Sequence, residues 1–131
     1  MQKSSHSVHN MQCHLILVIK YRKKVIDNNI SKSLESTFER VGANYSIEIE
    51  EWNHDVDHIH VLFSFTPKTE MVKFLNSYKS VSSRLIKRHF PSIKNSLWQE
   101  MFWSRSYYLA TVGENNESVV RQYIAAQGSD K

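Results

Sequence analysis

The 131-residue sequence holds only three glycines, two prolines and one cysteine. So little Gly and Pro excludes a collagen-like or linker-rich chain. It also argues against an all-β domain of short hairpins, which needs turn residues at close intervals. The lone Cys13 excludes a disulfide framework or a cysteine-built zinc site within one chain, and a reducing compartment is expected. Long apolar runs are missing as well: the longest, residues 15–19, falls far short of the ~20 residues of a membrane span. The segment MQKSSHSVHN lacks the pattern of a signal peptide. These absences predict a cytoplasmic protein with no membrane partner. No repeat, low-complexity tract or composition break divides the chain. One domain over residues 1–131 is therefore expected, its core at about 11–127 and its ends frayed.

Seventeen Lys and Arg against thirteen Asp and Glu leave a net charge of +4, with seven His in addition. That excess says little until the basic residues are placed. QCHLILVIKYR is apolar at successive positions, which suits a strand buried on both faces. After Asp27-Asn28-Asn29, the residues Ile30, Leu34, Phe38 and Val41 recur at helical spacing, with Gly42 as the expected stop. Tyr45, Ile47 and Ile49 alternate with polar residues as a second strand, and a loop is expected over residues 53–56. DHIHVLFSF reads as a third strand with Ile59, Val61, Phe63 and Phe65 on one face and His58, His60, Leu62 and Ser64 on the other. Residues 69–90 form an amphipathic helix with Met71, Leu75, Tyr78, Val81 and Leu85 inward, ended by Pro91. YYLATV is a fourth strand, and Asn116 caps a last helix through Gln127, with Gly128 as its stop.

The order β-α-β-β-α-β-α predicts an α+β fold. It is a ferredoxin-like or RRM-like βαββαβ antiparallel sheet with helices on one face and an added C-terminal helix carrying Tyr123. The first and third strands are then central, and His58 and His60 stand on the face away from the helices. Two His at i and i+2 can pinch one cation, although the same pair also suits a solvated strand face. Tyr123 and Gln127 lie one helical turn apart on one side of the last helix, with Val120 and Ile124 placed to bind that helix to an apolar surface. A phenol with a pKa near 10 needs a polarised electrophile. A cation held by His58, His60 and the Gln127 amide oxygen supplies one by clamping phosphodiester oxygens while Tyr123 attacks.

These residues resemble a known family, the small single-tyrosine HUH (His-hydrophobe-His) transposases of bacterial and archaeal insertion sequences that move as single-stranded DNA. The resemblance runs through CHLILVIKYRKKV, VDHIHVLFSF, SSRLIKRHFP, FWSRSYYLATVG and ESVVRQYIAAQ, in family order. It implies that His58 and His60 bind a divalent ion and that Gln127 completes the ligand set. It also implies that Tyr123 forms a 5′-phosphotyrosine link while releasing a 3′-hydroxyl, at element ends flanked by hairpins. The implied ion is magnesium or manganese, and paired imidazoles suit manganese better. A homodimer whose tyrosine helices complete each other's histidine sites is implied as well. Lys20, Tyr21, Arg22, Ser82, Ser83, Arg84, Trp103 and Arg105 are then the candidate DNA contacts, with Tyr21 and Trp103 stacking on unpaired bases. Three other readings remain open at this level. One is a domesticated, replication-type or relaxase-type HUH nickase, another a non-catalytic RRM-like nucleic-acid-binding module. The third is a zinc hydrolase in which His54 joins His58 and His60.

Overall fold

The structure, a computed structural model, describes residues 11–112 and 117–127, with backbone alone at 117–120. The expected cap at Asn116, the stop at Gly128, the side chain of Val120 and the frayed ends lie outside the described residues. Strand β1 spans Met11–Val18, helix α1 Asn28–Ala43, strand β2 Glu48–His54 and strand β3 His58–Phe65. Helix α2 spans Met71–His89, strand β4 Tyr108–Thr111 and helix α3 Glu117–Gln127. The sheet order is β2-β3-β1-β4 and every pairing is antiparallel, so β1 and β3 are central as the element order predicts.

β1 is apolar on both sides because both sides are covered. Leu15, Leu17 and Ile19 enter the main core under α1 and α2. Ile16 and Val18 point the other way and pack with Tyr108, Tyr123 and Ile124. Helix α1 begins where the Asp27 carboxylate accepts the Ile30 N–H at 2.8 Å, a side-chain cap for a donor with no intrahelical partner. Phe38 anchors α1 in an aromatic cluster with Trp52, Phe63, Phe74 and Tyr78.

Three local expectations change. Gly42 lies inside the last turn of α1 rather than beyond it. What its missing side chain permits is close approach, since a Cβ there would stand 3.2 Å from Ile47 Cγ2. Strand β2 begins later and takes in the first two positions of the expected loop, ending at His54, with a register shift between Ile49 and Glu51. This extra residue breaks the period of two and lets both Ile49 and Trp52 pack on the same core. On α2 the buried residues are Phe74, Leu75, Tyr78, Ser82 and Ile86, so Leu75 and Tyr78 face inward as expected, while Met71, Val81 and Leu85 are only half buried. Ser82 is tolerated there because its hydroxyl accepts the Trp103 indole N–H at 2.9 Å. Burial pushes the Cys13 thiol up to about 12, so it stays protonated and chemically quiet at neutral pH.

Candidate active site on the sheet face away from α1 and α2

Pairing register decides which side chains share the second face. His58 lies opposite Val18 and His60 opposite Ile16. Tyr123 and Ile124 of α3 pack on those same two aliphatic residues, which brings the phenol and the histidine pair to one side of the sheet within a single chain. The Tyr123 ring rests 5.8 Å from that of Tyr108, and its hydroxyl donates to Ser106 Oγ at 3.3 Å. Ser104 and Ser106 both donate to Gln127 Oε1, each at 2.9 Å, so Ser106 touches the phenol and the amide at once. Lys79 holds this serine segment from the α2 side, donating to the carbonyls of Ser104 and Arg105 at 2.9 and 3.0 Å.

Each histidine has a partner on its second nitrogen. His58 Nδ1 stands 2.8 Å from Asp57 Oδ1, and Arg22 Nε donates to Asp57 Oδ2 at 2.7 Å. His60 Nε2 stands 3.0 Å from His14 Nδ1. Burial, followed by the nearby His14 and His58 charges, holds His60 below its ordinary value despite an opposing pull from Glu51, which leaves it neutral with a lone pair to offer at neutral pH. Burial pushes the Asp57 carboxyl up, but hydrogen bonds from His58 and Arg22 and their charges outweigh it, and the net value lies below the ordinary 3.8.

Tyr21 and Arg22, in the turn after β1, both hold left-handed backbone, at φ 57° and 52°. Such non-glycine residues store strain of about 1–3 kcal/mol each, held here by the Arg22–Asp57 pair and by the Lys20 N–H on the Phe102 carbonyl at 2.8 Å. Asp57→Asn is expected to lower stability by about 1–2 kcal/mol, through weakening of a charged, buried hydrogen-bond centre. A depressed folded value stabilises above the unfolded one. The wild-type advantage in melting temperature should therefore be full above about pH 5. It should close as pH falls below 3.8 through the folded value; a difference that persists unchanged into that acid range would rule out the ionised carboxylate as its source.

Several expected site residues are placed elsewhere. Trp103 and Ser82 are buried and bonded to each other, so neither is presented to a base or phosphate. Lys20 is also buried, its ammonium 5.1 Å from the Tyr21 ring centre. Arg22 faces Asp57 with part of its side chain exposed. Tyr21 is half buried against Trp98, and Arg84 and Arg105 are exposed. Ser83 and Arg84 line a groove with Ser80, Lys87, Arg88, Lys94 and Glu100. His54 pairs opposite Ile59, a core-facing residue, so it turns away from His58 and His60 and the three-histidine zinc reading fails. Among the described residues no group of three or more His, Cys, Asp or Glu is gathered for a metal ion. The donors that remain, two imidazoles and an amide oxygen, suit a divalent ion in chemistry, while the amide oxygen is turned onto the two serine hydroxyls.

Asp57, His14, Ser104 and Ser106 were not singled out by sequence. Asp57 had a signal, an acid immediately before the histidine pair, and His14 had another, its alternation with Ile16 and Val18 on the face away from α1 and α2. The serines had none, because only folding brings them to α3.

The structure is thus a four-stranded antiparallel sheet of ferredoxin-like order, with a histidine pair and a tyrosine-bearing helix on one face. The family model "Transposase IS200 like" matches residues 7–127. The chain thus belongs to the IS200-like transposases, enzymes that cleave DNA and transfer strands. It is 30% identical over 127 residues to the ISDra2 transposase TnpA of Deinococcus radiodurans, covering 97% of this chain and 91% of that one. It is 28% identical over 123 residues to the transposase of insertion sequence element IS200 from Salmonella typhimurium, covering 94% and 80%. A solved structure of a candidate transposase from Deinococcus radiodurans R1 superposes with a TM-score of 0.85 at 28% identity, over 97% of this chain and 98% of that one. A REP-associated tyrosine transposase bound to a REP hairpin shares the fold, with a TM-score of 0.58 at 12% identity, over 95% and 68%.

Proposed function

We propose that this transposase is a metal-dependent single-stranded DNA endonuclease and strand transferase that works through a covalent 5′-phosphotyrosine at hairpin-flanked element ends. The observation that carries the reading is the packing of Tyr123 on Ile16 and Val18, the pairing partners of His60 and His58. A nucleophile and a cation-binding pair thereby share one sheet face. The Tyr123 oxygen attacks phosphorus, the bond to the 3′ oxygen breaks, the phenol gives up its proton and the leaving oxygen takes one to become a 3′-hydroxyl. The reverse attack, by a 3′-hydroxyl on the phosphotyrosine, joins strands and restores the phenol without ATP.

His58 and His60 would hold magnesium or manganese, which when bound neutralises charge on the phosphate oxygens. Gln127 would act as third ligand by exchanging at least one serine hydroxyl on its oxygen. Tyr108 and Ser106 hold the Tyr123 ring and hydroxyl. Tyr21, Arg22, Ser83, Arg84 and Arg105 are the proposed DNA contacts, and binding that weakens with rising salt is their signature. A homodimer with composite sites belongs to the same proposal, as does a cytoplasmic location with nucleoid-associated DNA as substrate. The hairpin carried by the REP-associated neighbour supports a hairpin substrate.

Purified protein mixed with a single-stranded, hairpin-flanked element end and Mn²⁺ should yield a denaturation-resistant protein–DNA species and a free 3′-hydroxyl. Cleavage without any covalent species would refute the phosphotyrosine route. Active transfer between element ends separates a transposase from a nickase serving replication or a domesticated role.

A further inference from the structure

We infer that His14 is a positioning residue that fixes the tautomer of His60 and leaves His60 Nδ1 as its cation-binding atom. The inference rests on the proposed role of His58 and His60 as a cation-holding pair. His14 lies opposite Leu62 in the β1–β3 pairing, so it projects from the same face as Ile16 and His60. The two rings are 5.1 Å apart and tilted by 54°, with His14 Nδ1 3.0 Å from His60 Nε2. Two ring nitrogens at that distance share one proton, so one is the donor and the other the acceptor.

Direction follows from what His60 must offer. Its Nε2 faces His14, so the lone pair available to a cation is on Nδ1, and a neutral imidazole with a lone pair on Nδ1 carries its proton on Nε2. His60 therefore donates, His14 Nδ1 accepts, and His14 keeps its own proton on Nε2. His58 is the mirror case: Nδ1–H donates to the Asp57 carboxylate and Nε2 is left to bind. Metal-binding histidines usually donate their second N–H to such an acceptor, which sets both ring angle and tautomer. The two acceptors here differ. Asp57 is a carboxylate backed by Arg22, whereas His14 is an imidazole with half-buried surroundings. His14 is also a polar residue between buried Cys13 and Leu15, in a strand where an apolar side chain would pack as well.

Nitrogen NMR of wild-type protein labelled with ¹⁵N-histidine, recorded without added metal, should find His60 as the Nε2–H tautomer and His58 as the Nδ1–H tautomer. A His60 that carries its proton on Nδ1 overturns the inference. This measurement requires no substitution, so it stands whatever His14 variants do to folding. Calorimetric titration with Mn²⁺ then compares wild type, His14→Phe, His14→Asn and His60→Ala. His14→Phe should weaken Mn²⁺ binding by roughly 10–100-fold. His14→Asn, whose amide oxygen can accept near the position of Nδ1, should recover most of that loss. If His60→Ala loses binding while His14→Phe retains wild-type affinity, the role of His14 is refuted and the histidine pair stands. If His60→Ala binds Mn²⁺ as wild type does, the pair itself is refuted and the His14 inference falls with it.

Discussion

Tyr123→Phe is expected to abolish the covalent protein–DNA species completely while leaving hairpin binding and folding unchanged. The physical basis is how little the substitution removes. Phenylalanine keeps the ring against Tyr108 and on the Ile16–Val18 surface, so the apolar docking of α3 survives. The hydroxyl's bond to Ser106 is long, at 3.3 Å, and exposed, so its removal costs only a fraction of the usual ~1 kcal/mol. Chemistry loses everything, because no other atom of that side chain can form an ester with phosphate. A denaturing gel of end-labelled DNA measures the covalent species, and a native gel measures binding. Persistence of the covalent band in Tyr123→Phe would assign the nucleophile to another residue.

His60→Ala and His58→Ala should each lower cleavage by on the order of 10³-fold, the rate equivalent of several kcal/mol of charge stabilisation. Their effects on folding should differ. His58→Ala takes from Asp57, which is 4% exposed, the partner of its Oδ1 and leaves the Arg22 guanidinium on Oδ2, and should cost about 1–3 kcal/mol. His60→Ala leaves that pair intact and should cost less. Equal rate losses with unequal melting temperatures would separate the chemical role from the structural one. Activity that neither substitution nor chelation reduces would refute the metal-dependent account. Mixing Tyr123→Phe with His58→Ala protein also tests the dimer: recovered cleavage in verified mixed dimers indicates sites shared between subunits, and no recovery indicates sites complete within one chain.

Much of this site is legible in one dimension because strands and helices have fixed periods. Alternation along β3 is enough to put His58 and His60 together, away from Ile59 and Val61. A spacing of four residues is enough to put Tyr123 and Gln127 on one side of α3. The continuous apolar run of β1 requires a strand covered on both faces, as observed. Where the period is interrupted, such reasoning misplaces side chains. The extra residue in β2 lets Trp52 join Phe38, and the hydroxyl of Ser82 turns a polar position into a buried one by meeting Trp103. The expected base-stacking role of Trp103 fails for that reason.

By itself, then, the sequence determined the element order, the faces of β1 and β3, the pairing of a tyrosine with a histidine motif, and the family resemblance. Those properties depend on steric periods and residue chemistry that act within a few positions. Only the tertiary structure decided that Asp57 and Arg22 hold His58, that His14 meets His60, that His54 faces away, and that Ser104 and Ser106 grip Gln127. Each of these is a hydrogen bond or a register relation set by the folded chain, and a hydrogen bond depends on tenths of an ångström and on direction. No local pattern encodes a distance between residues 23 positions apart, such as Ser104 and Gln127; the pairing of β1 with β3 and the docking of α3 do.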